Sequence, residues 1–289
     1  MKNNEIKHVP LVSIGMPIYN GEKYIRDALD SLLNQTFADF ELIISDNAST
    51  DNTSYICKEY ASKDHRIQYI RQESNIGPSK NFSFVLQKSI GNFFMWASHD
   101  DTRDKNWIEK LISFIDADDI GVIGVPVTVD ENNDVLKTTS LSNFTKGDVI
   151  KAFLEKDENS KAFYMYALYN REILEKTNIH FFLQEDTFAG DQSIVVHLVQ
   201  YGNLRCNTLT SLFYRQHGES VSAKDNGGWL ARNHFMYHFL PFSIYACNYN
   251  AVSGKYKILL ILSMPIKYFS HQLVLLKRAF KKYKLNLFS

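Results

Sequence analysis

The first hundred residues repeat one pattern that few folds accommodate. Short apolar runs, each stopped by polar or turn residues, alternate with segments of helical periodicity. "LVSIGMPIYN" opens the series as a buried strand that leads into a loop at Pro17. In "GEKYIRDALDSLLNQTF", Tyr24, Ile25, Leu29, Leu32 and Leu33 recur at helical spacing with charges between them. "FELIISD" reads as a second buried strand and "NASTDNT" as a polar loop, with Ser49 or Thr50 placed to cap a helix over "TSYICKEYAS". "RIQYIRQ" reads as a strand, "ESNIGPSKN" as a loop, "FSFVLQKSI" as a helix and "NFFMWAS" as a fourth strand. Strands alternating with helices in this order predict an α/β domain with a mainly parallel central sheet.

Further on, "NWIEKLISFIDA" predicts an amphipathic helix and "IGVIGVPVTVD" a strand. Residues 131–161 are polar and without clear periodicity. "AFYMYALYN" reads as a strand and "REILEKT" as a helix. "GDQSIVVHLVQYG" reads as a helix stopped by Gly202, and "LRCNTLTSLFYRQH" as a late strand.

Charge divides the chain unevenly. The formal net charge is zero over 289 residues, yet no Asp or Glu follows Asp225. The first 225 residues hold 23 basic against 32 acidic residues, and the remainder holds nine basic residues. An acidic body with a basic tail predicts an anionic partner for the tail. "HQLVLLKRAFKKYKLNLF" places Leu276, Phe280, Tyr283 and Leu287 at helical intervals among Lys277, Arg278, Lys281, Lys282 and Lys284. A basic amphipathic helix of this kind suits a membrane surface, and packing on the body or on another subunit is the competing reading. Each base near an anionic surface contributes about 1 kcal/mol. Three widely spaced cysteines, Cys57, Cys206 and Cys247, form neither a disulfide framework nor a zinc pattern and suit a reducing compartment. "MKNNEIKHVP" carries no apolar signal-peptide core, and no apolar run reaches the length of a membrane-spanning helix. These features predict a cytoplasmic protein.

The chemistry gathers at strand ends, where open parallel sheets bind ligands. Pro17 and Tyr19 follow the first strand, Asp46 ends the second, and Asp100 and Asp101 follow the fourth. Neither G-x-G-x-x-G nor G-x-x-x-x-G-K-[ST] is present, so a nucleotide here would need carboxylates and a cation for its phosphates. Mg²⁺ and Mn²⁺ commonly combine one or two carboxylates with substrate phosphates. On the doublet alone, a helix cap and a solvated turn are the better explanation of Asp100 and Asp101.

The segment "VSIGMPIYNGEKYIRDALDSLLNQTFADFELIISDNASTDNT", followed by "ESNIGPSKNFSFVL" and "WASHDD", closely resembles the opening of the family 2 glycosyltransferases. The resemblance is dense over Val12–Asp101 and thinner to about His217. It implies the GT-A fold, a nucleotide-sugar donor and a divalent cation, Mn²⁺ or Mg²⁺. By similarity, Pro17 and Tyr19 line the nucleoside pocket and Asp46 accepts a hydrogen bond from the base, which fits the imide N–H of uracil or thymine. Lys80 matches a loop that contacts base or phosphate. Asp100 faces the ribose or sugar, and Asp101 holds the metal, with His217 as an additional ligand. Inverting transfer needs a base for the acceptor hydroxyl. Asp191, at the start of its helix, matches that position, with Glu185 and Asp186 as rivals. The relatives' Glu-Asp is Gly190-Asp191 here, and a carboxylate at a helix start also serves as a simple cap.

The expected organisation is a GT-A domain over residues 1–224, with a nucleotide-binding half of about 10–101 and an acceptor half of about 102–224, then a helical basic extension over 225–289. The expected activity is inverting sugar transfer from a nucleotide sugar, a UDP-sugar, to a glycan or lipid-linked glycan. The site would be the inner face of the cytoplasmic membrane, the product a bacterial surface polysaccharide, and nucleic acid no partner. A sugar-nucleotide nucleotidyltransferase would want a Gly-rich basic loop after the first strand, and "MPIYNGEKY" has one Gly and one Lys. A degenerate nucleotide-binding scaffold need not keep Asp46, Asp100, Asp101 and Asp191 together.

Overall fold

The computed structural model describes residues 8–155, 161–177, 179, 190–217, 249, 252, 254, 256–269 and 272, without the side chains of residues 190–193. One nine-stranded sheet runs through the molecule. Its strands are β1 (Val12–Ile18), β2 (Phe40–Asp46), β3 (Ile67–Arg71), β4 (Phe93–Trp96), β5 (Thr102–Arg103), β6 (Asp119–Val129), β7 (Val135–Thr138), β8 (Leu168–Asn170) and β9 (Asn203–Arg215). The order is β3-β2-β1-β4-β8-β6-β9-β5, with β7 beside β6.

The four strands read from the apolar runs form the parallel half. β1 is buried along its whole length, as a central strand covered on both faces must be. It pairs with β2 from Val12↔Phe40 to Ile18↔Asp46, and with β4 from Val12↔Phe93 to Gly15↔Trp96. The β2–β3 register sets Asp46 opposite Arg71. Beyond β4 the sheet is mixed. The short β8 enters antiparallel between β4 and β6, and only the β6–β9 pair there is parallel.

Helix α1 (Ile25–Leu33) buries Ile25, Ala28, Leu29 and Leu32 against the sheet, the stripe its spacing predicts. Helix α2 (Thr53–Lys63) begins without a side-chain cap from Ser49 or Thr50. Ser49 instead accepts a hydrogen bond from the Asn20 N–H, and Asp51 accepts one from the Thr53 N–H. Helix α3 (Pro78–Lys88) starts earlier than predicted and takes in Lys80. Gly77 holds φ at +84°, open to glycine at no steric cost, and Pro78 occupies the first helical position, where it has no N–H to lose. Asn81 on this helix is buried, donates to the Ser45 carbonyl and accepts from the Ser45 hydroxyl. That link pins α3 to the end of β2.

The remaining helices are α4 (Trp107–Ile112), α5 (Val149–Leu154), α6 (Arg171–Glu175) and α7 (Gly190–Leu198). "AFYMYALYN" is a correction: it begins as a 3₁₀ helix over Lys161–Tyr166 and is strand only at Leu168–Asn170. Tyr164 and Tyr169 both turn into the core, a spacing that strand alternation does not give. A helix over residues 256–269 continues through Pro265. Lys267 donates from it to the Glu155 carbonyl at 2.8 Å, which fastens it to the body. No helix among the described residues is long and apolar enough to cross a membrane. The expected boundary near residue 225 and the basic stretch 273–289 lie outside the described residues.

Candidate active site

The carboxyl ends of β1 and β4 open onto a cleft of ≈ 1130 Å³, large enough for a nucleotide-sized ligand. Two loops form one wall, and hydrogen bonds lace them together. Asn20 N–H donates to Ser49 Oγ at 2.9 Å, Gly21 N–H to Thr53 Oγ1 at 2.8 Å and Glu22 N–H to an Asp51 oxygen at 3.0 Å. In the other direction, Thr50 N–H donates to Asn20 Oδ1 and Asn52 N–H to Glu22 Oε2. Asn20 and Ala48 hold positive φ within these loops, tolerable for Asn and unusual for Ala. The interlaced backbone holds that geometry in place.

The opposite wall is the turn after β4. Asp100 lines the cleft, with Ser98 donating to one of its oxygens and His217 Nε2 lying 3.1 Å from the other. Burial alone would raise the Asp100 carboxyl, but the charge of His99 and the bonds from Ser98 and His217 outweigh it and hold it below the usual range. Asp101 is fully buried behind Asp100 and does not line the cleft. Its Oδ1 accepts the Arg215 N–H at 3.0 Å, while its Oδ2 has no hydrogen-bond partner among the described residues. Burial, then the neighbouring charge of Asp100, pushes the Asp101 carboxyl up to about 8 against the opposing pull of Arg215 and Arg103. A buried carboxylate with an unmet oxygen is costly to ionise unless a cation reaches it.

A divalent cation fits this set. The Asp100–His217 pair presents an oxygen and a nitrogen at the cleft, and Asp101 keeps an unmet oxygen behind it. Among the described residues no three His, Cys, Asp or Glu side chains are placed to hold a metal ion together.

The other predicted residues fall in different places. Tyr19 is half exposed and lines the cleft. Pro17 is buried within β1 opposite Ser45. Asp46 is fully buried, and its oxygens already accept from the Ser49 N–H at 2.8 Å, Tyr69 Oη at 2.7 Å and Arg71 Nη1 at 2.7 Å. A base bonding to Asp46 must share an oxygen with one of these donors. Lys80 is exposed on α3 and does not line the cleft. Asp191 sits in the first turn of α7, and its side chain lies outside the described residues, as do the rivals Glu185 and Asp186.

Several cleft residues escaped sequence reasoning. Tyr24, read only as a helix stripe residue, packs its ring 4.7 Å from the His217 ring and under the Arg215 guanidinium, also at 4.7 Å. Arg215 donates further to the Asp100 carbonyl at 3.1 Å and to Asp27 at 2.9 Å. Tyr166 and Tyr214 complete the cleft, and burial followed by the charges of Asp101 and Asp100 holds the Tyr166 hydroxyl well above its ordinary range. The only sequence signal for Arg215 was its place two residues before His217.

Comparison with solved structures identifies the architecture. S. aureus TarS 1-349 in complex with UDP-GlcNAc matches 90% of this chain and 72% of its own, with a TM-score of 0.65 and 20% identity. The mannosyltransferase PcManGT from Pyrobaculum calidifontis, in complex with GDP-Man and Mn²⁺, matches 94% of this chain and 76% of its own, with a TM-score of 0.58 and 15% identity. The fold is therefore that of the GT-A glycosyltransferases. The sequence profile of "Glycosyl transferase family 2" matches residues 13–177, more than half the chain, so this protein belongs to that family. Among curated relatives, an uncharacterized glycosyltransferase of Haemophilus influenzae is 26% identical over 76% of this chain and 70% of its own. The uncharacterized glycosyltransferase EpsJ of Bacillus subtilis is 28% identical over 63% of this chain and 54% of its own. Glycosyltransferase GlyA of Streptococcus pneumoniae is 37% identical, but over 35% of this chain and only 14% of GlyA.

Proposed function

We propose that this glycosyltransferase is inverting and cation-dependent, takes a UDP-sugar donor and acts on a hydroxyl of a glycan or lipid-linked glycan. The observation that carries the cation-dependent reading is the Asp100–His217 pair at the cleft with the unmet oxygen of Asp101 behind it. A UDP-GlcNAc complex of TarS and a GDP-Man and Mn²⁺ complex of PcManGT support the same reading by likeness of fold. A bacterial surface polysaccharide as product, and work at the inner face of the cytoplasmic membrane, follow from the family resemblance and the basic tail.

In this reading Tyr19 covers one side of the nucleoside, and Asp46 braces the loop beneath it through Ser49, Tyr69 and Arg71. Asp100, Asp101 and His217 would hold the cation, which when bound would neutralise charge on the departing diphosphate. Asp191 takes the proton of the acceptor hydroxyl. That oxygen then forms a bond to the anomeric carbon as the bond to the diphosphate oxygen breaks on the opposite face, so the configuration inverts. Tyr166 and Tyr214 border the cleft beside Asp100.

The test is a screen of UDP-, TDP- and GDP-sugars, read by nucleoside diphosphate release, after chelation and with Mn²⁺ or Mg²⁺ restored. Release from a UDP-sugar that requires added cation supports the proposal. Full activity after exhaustive chelation would remove the cation from it.

A further inference from the structure

The helix over residues 256–269 is built inside out. Its inward face holds Leu260, Ser263, Met264 and Lys267, all buried. Its outward arc carries Ile258, Leu259, Ile261, Leu262, Ile266 and Phe269, each between 44% and 68% exposed. At 100° per residue these six fall within one arc of about 160°. Isolated exposed apolar side chains are ordinary, but an unbroken stripe with the lysine on the covered side marks an interaction surface. The stripe is held rigidly: Lys267 donates to the Glu155 carbonyl and lies 6.0 Å from the Phe153 ring centroid, and Ser263 Oγ donates to the Leu259 carbonyl.

We infer that this face docks onto an anionic lipid bilayer and lies in its surface. The charge around it selects that occupant. Lys257 stands in the helix, Lys255, Lys277 and Arg278 flank it in sequence, and no acid follows Asp225. Anionic headgroups meet both requirements, with bases outside and apolar side chains at the acyl boundary. A second copy of the chain does not, because a two-fold contact would set a base-rich, acid-free stretch of sequence against its own copy. The inward face of the helix is buried against the body, so the outward face is the one free to rest on the bilayer surface. The inference deepens the membrane part of the proposed function and assigns it to a folded face in place of the basic stretch alone.

The full chain is incubated with phosphatidylcholine vesicles with or without about 30% phosphatidylglycerol, and the bound fraction is read by flotation. Wild type floats with the anionic vesicles, and Leu262→Ser with Ile266→Ser lowers the partition coefficient at least ~10-fold while the charge of the tail is untouched. Both sites are solvent-facing, so thermal melting should match wild type. Leu262→Gln with Ile266→Gln repeats the test if the serines impair folding. Unchanged flotation in a folded variant pair overturns the inference. So does a wild-type dimer, seen by light scattering, that the substitutions split without any vesicle binding. The readout needs neither donor nor acceptor, so its failure is distinct from failure of the transferase reading.

Discussion

Truncating Arg215 to alanine removes three close contacts that tie the cleft together and a longer one of 3.5 Å to the Glu131 carbonyl, while leaving the backbone N–H that reaches Asp101. The side chain is 4% exposed. Its bond to the buried Asp100 carbonyl is charge-assisted and contributes about 1.5–3 kcal/mol. Its stack on Tyr24, shielded from water, contributes about 1–2 kcal/mol. The bridge to Asp27, which is half exposed, contributes no more than about 1 kcal/mol. These overlap, so about 3–4 kcal/mol is expected in total. At this chain length each kcal/mol lowers Tm by about 2 °C, which gives a drop of ~6–8 °C by scanning calorimetry. Arg215→Lys keeps the charge but not the planar stack, and should recover less than half of that. Activity should suffer as well, because Arg215 anchors the Asp100 turn to the strand that delivers His217. A shift of about 1 Å between such groups costs ~100-fold in kcat/KM for the donor. If Arg215→Ala melts within about 2 °C of wild type and turns over normally, the three contacts are not what holds the cleft.

Three further outcomes follow from other contacts. Asp101→Asn removes the proposed cation-facing charge without changing shape. It should abolish cation-stimulated donor turnover and the protection that Mn²⁺ gives against thermal unfolding, and persistence of both would exclude Asp101 as a ligand. Arg205→Met strips the guanidinium from the fully buried Asp119, whose two oxygens Arg205 Nε contacts at 2.9 Å each. Asp119 keeps the Asp116 N–H and Asn203 Nδ2 as donors, so the loss should cost about 2–3 kcal/mol in urea unfolding, and a cost below ~1 kcal/mol would mean that water reaches it. Burial pushes the Cys57 thiol up to about 12, with the charges of Asp46 and Asp51 adding to it. Thiolate is then scarce at pH 8, and in a Cys206→Ser, Cys247→Ser background a disulfide reagent should label Cys57 only after denaturant is added.

How much of this was legible in the residues depended on the range of the interaction. Strands β1 to β4 and helices α1 to α3 were readable because a chain buried on both sides of a sheet must be apolar at every position, and one packed on a single face must be apolar every third or fourth. The errors came where neighbours override local preference. Ser49 resembles a helix cap until the Asn20 loop claims its hydroxyl. "AFYMY" resembles a strand until packing on the far half of the sheet winds it into a 3₁₀ helix.

The same division runs through the site. From the sequence alone came the family, the α/β architecture, and a carboxylate doublet delivered to a strand end, because period and strand-end position are local properties. Only the tertiary structure decided that His217 meets Asp100 across 117 residues, that Asp101 is sealed behind it, and that Asp46 is already bonded by Tyr69 and Arg71. Those pairings depend on which strands become neighbours and in what register. Register is set by the burial of whole faces of the sheet, a collective quantity that no single stretch of sequence contains.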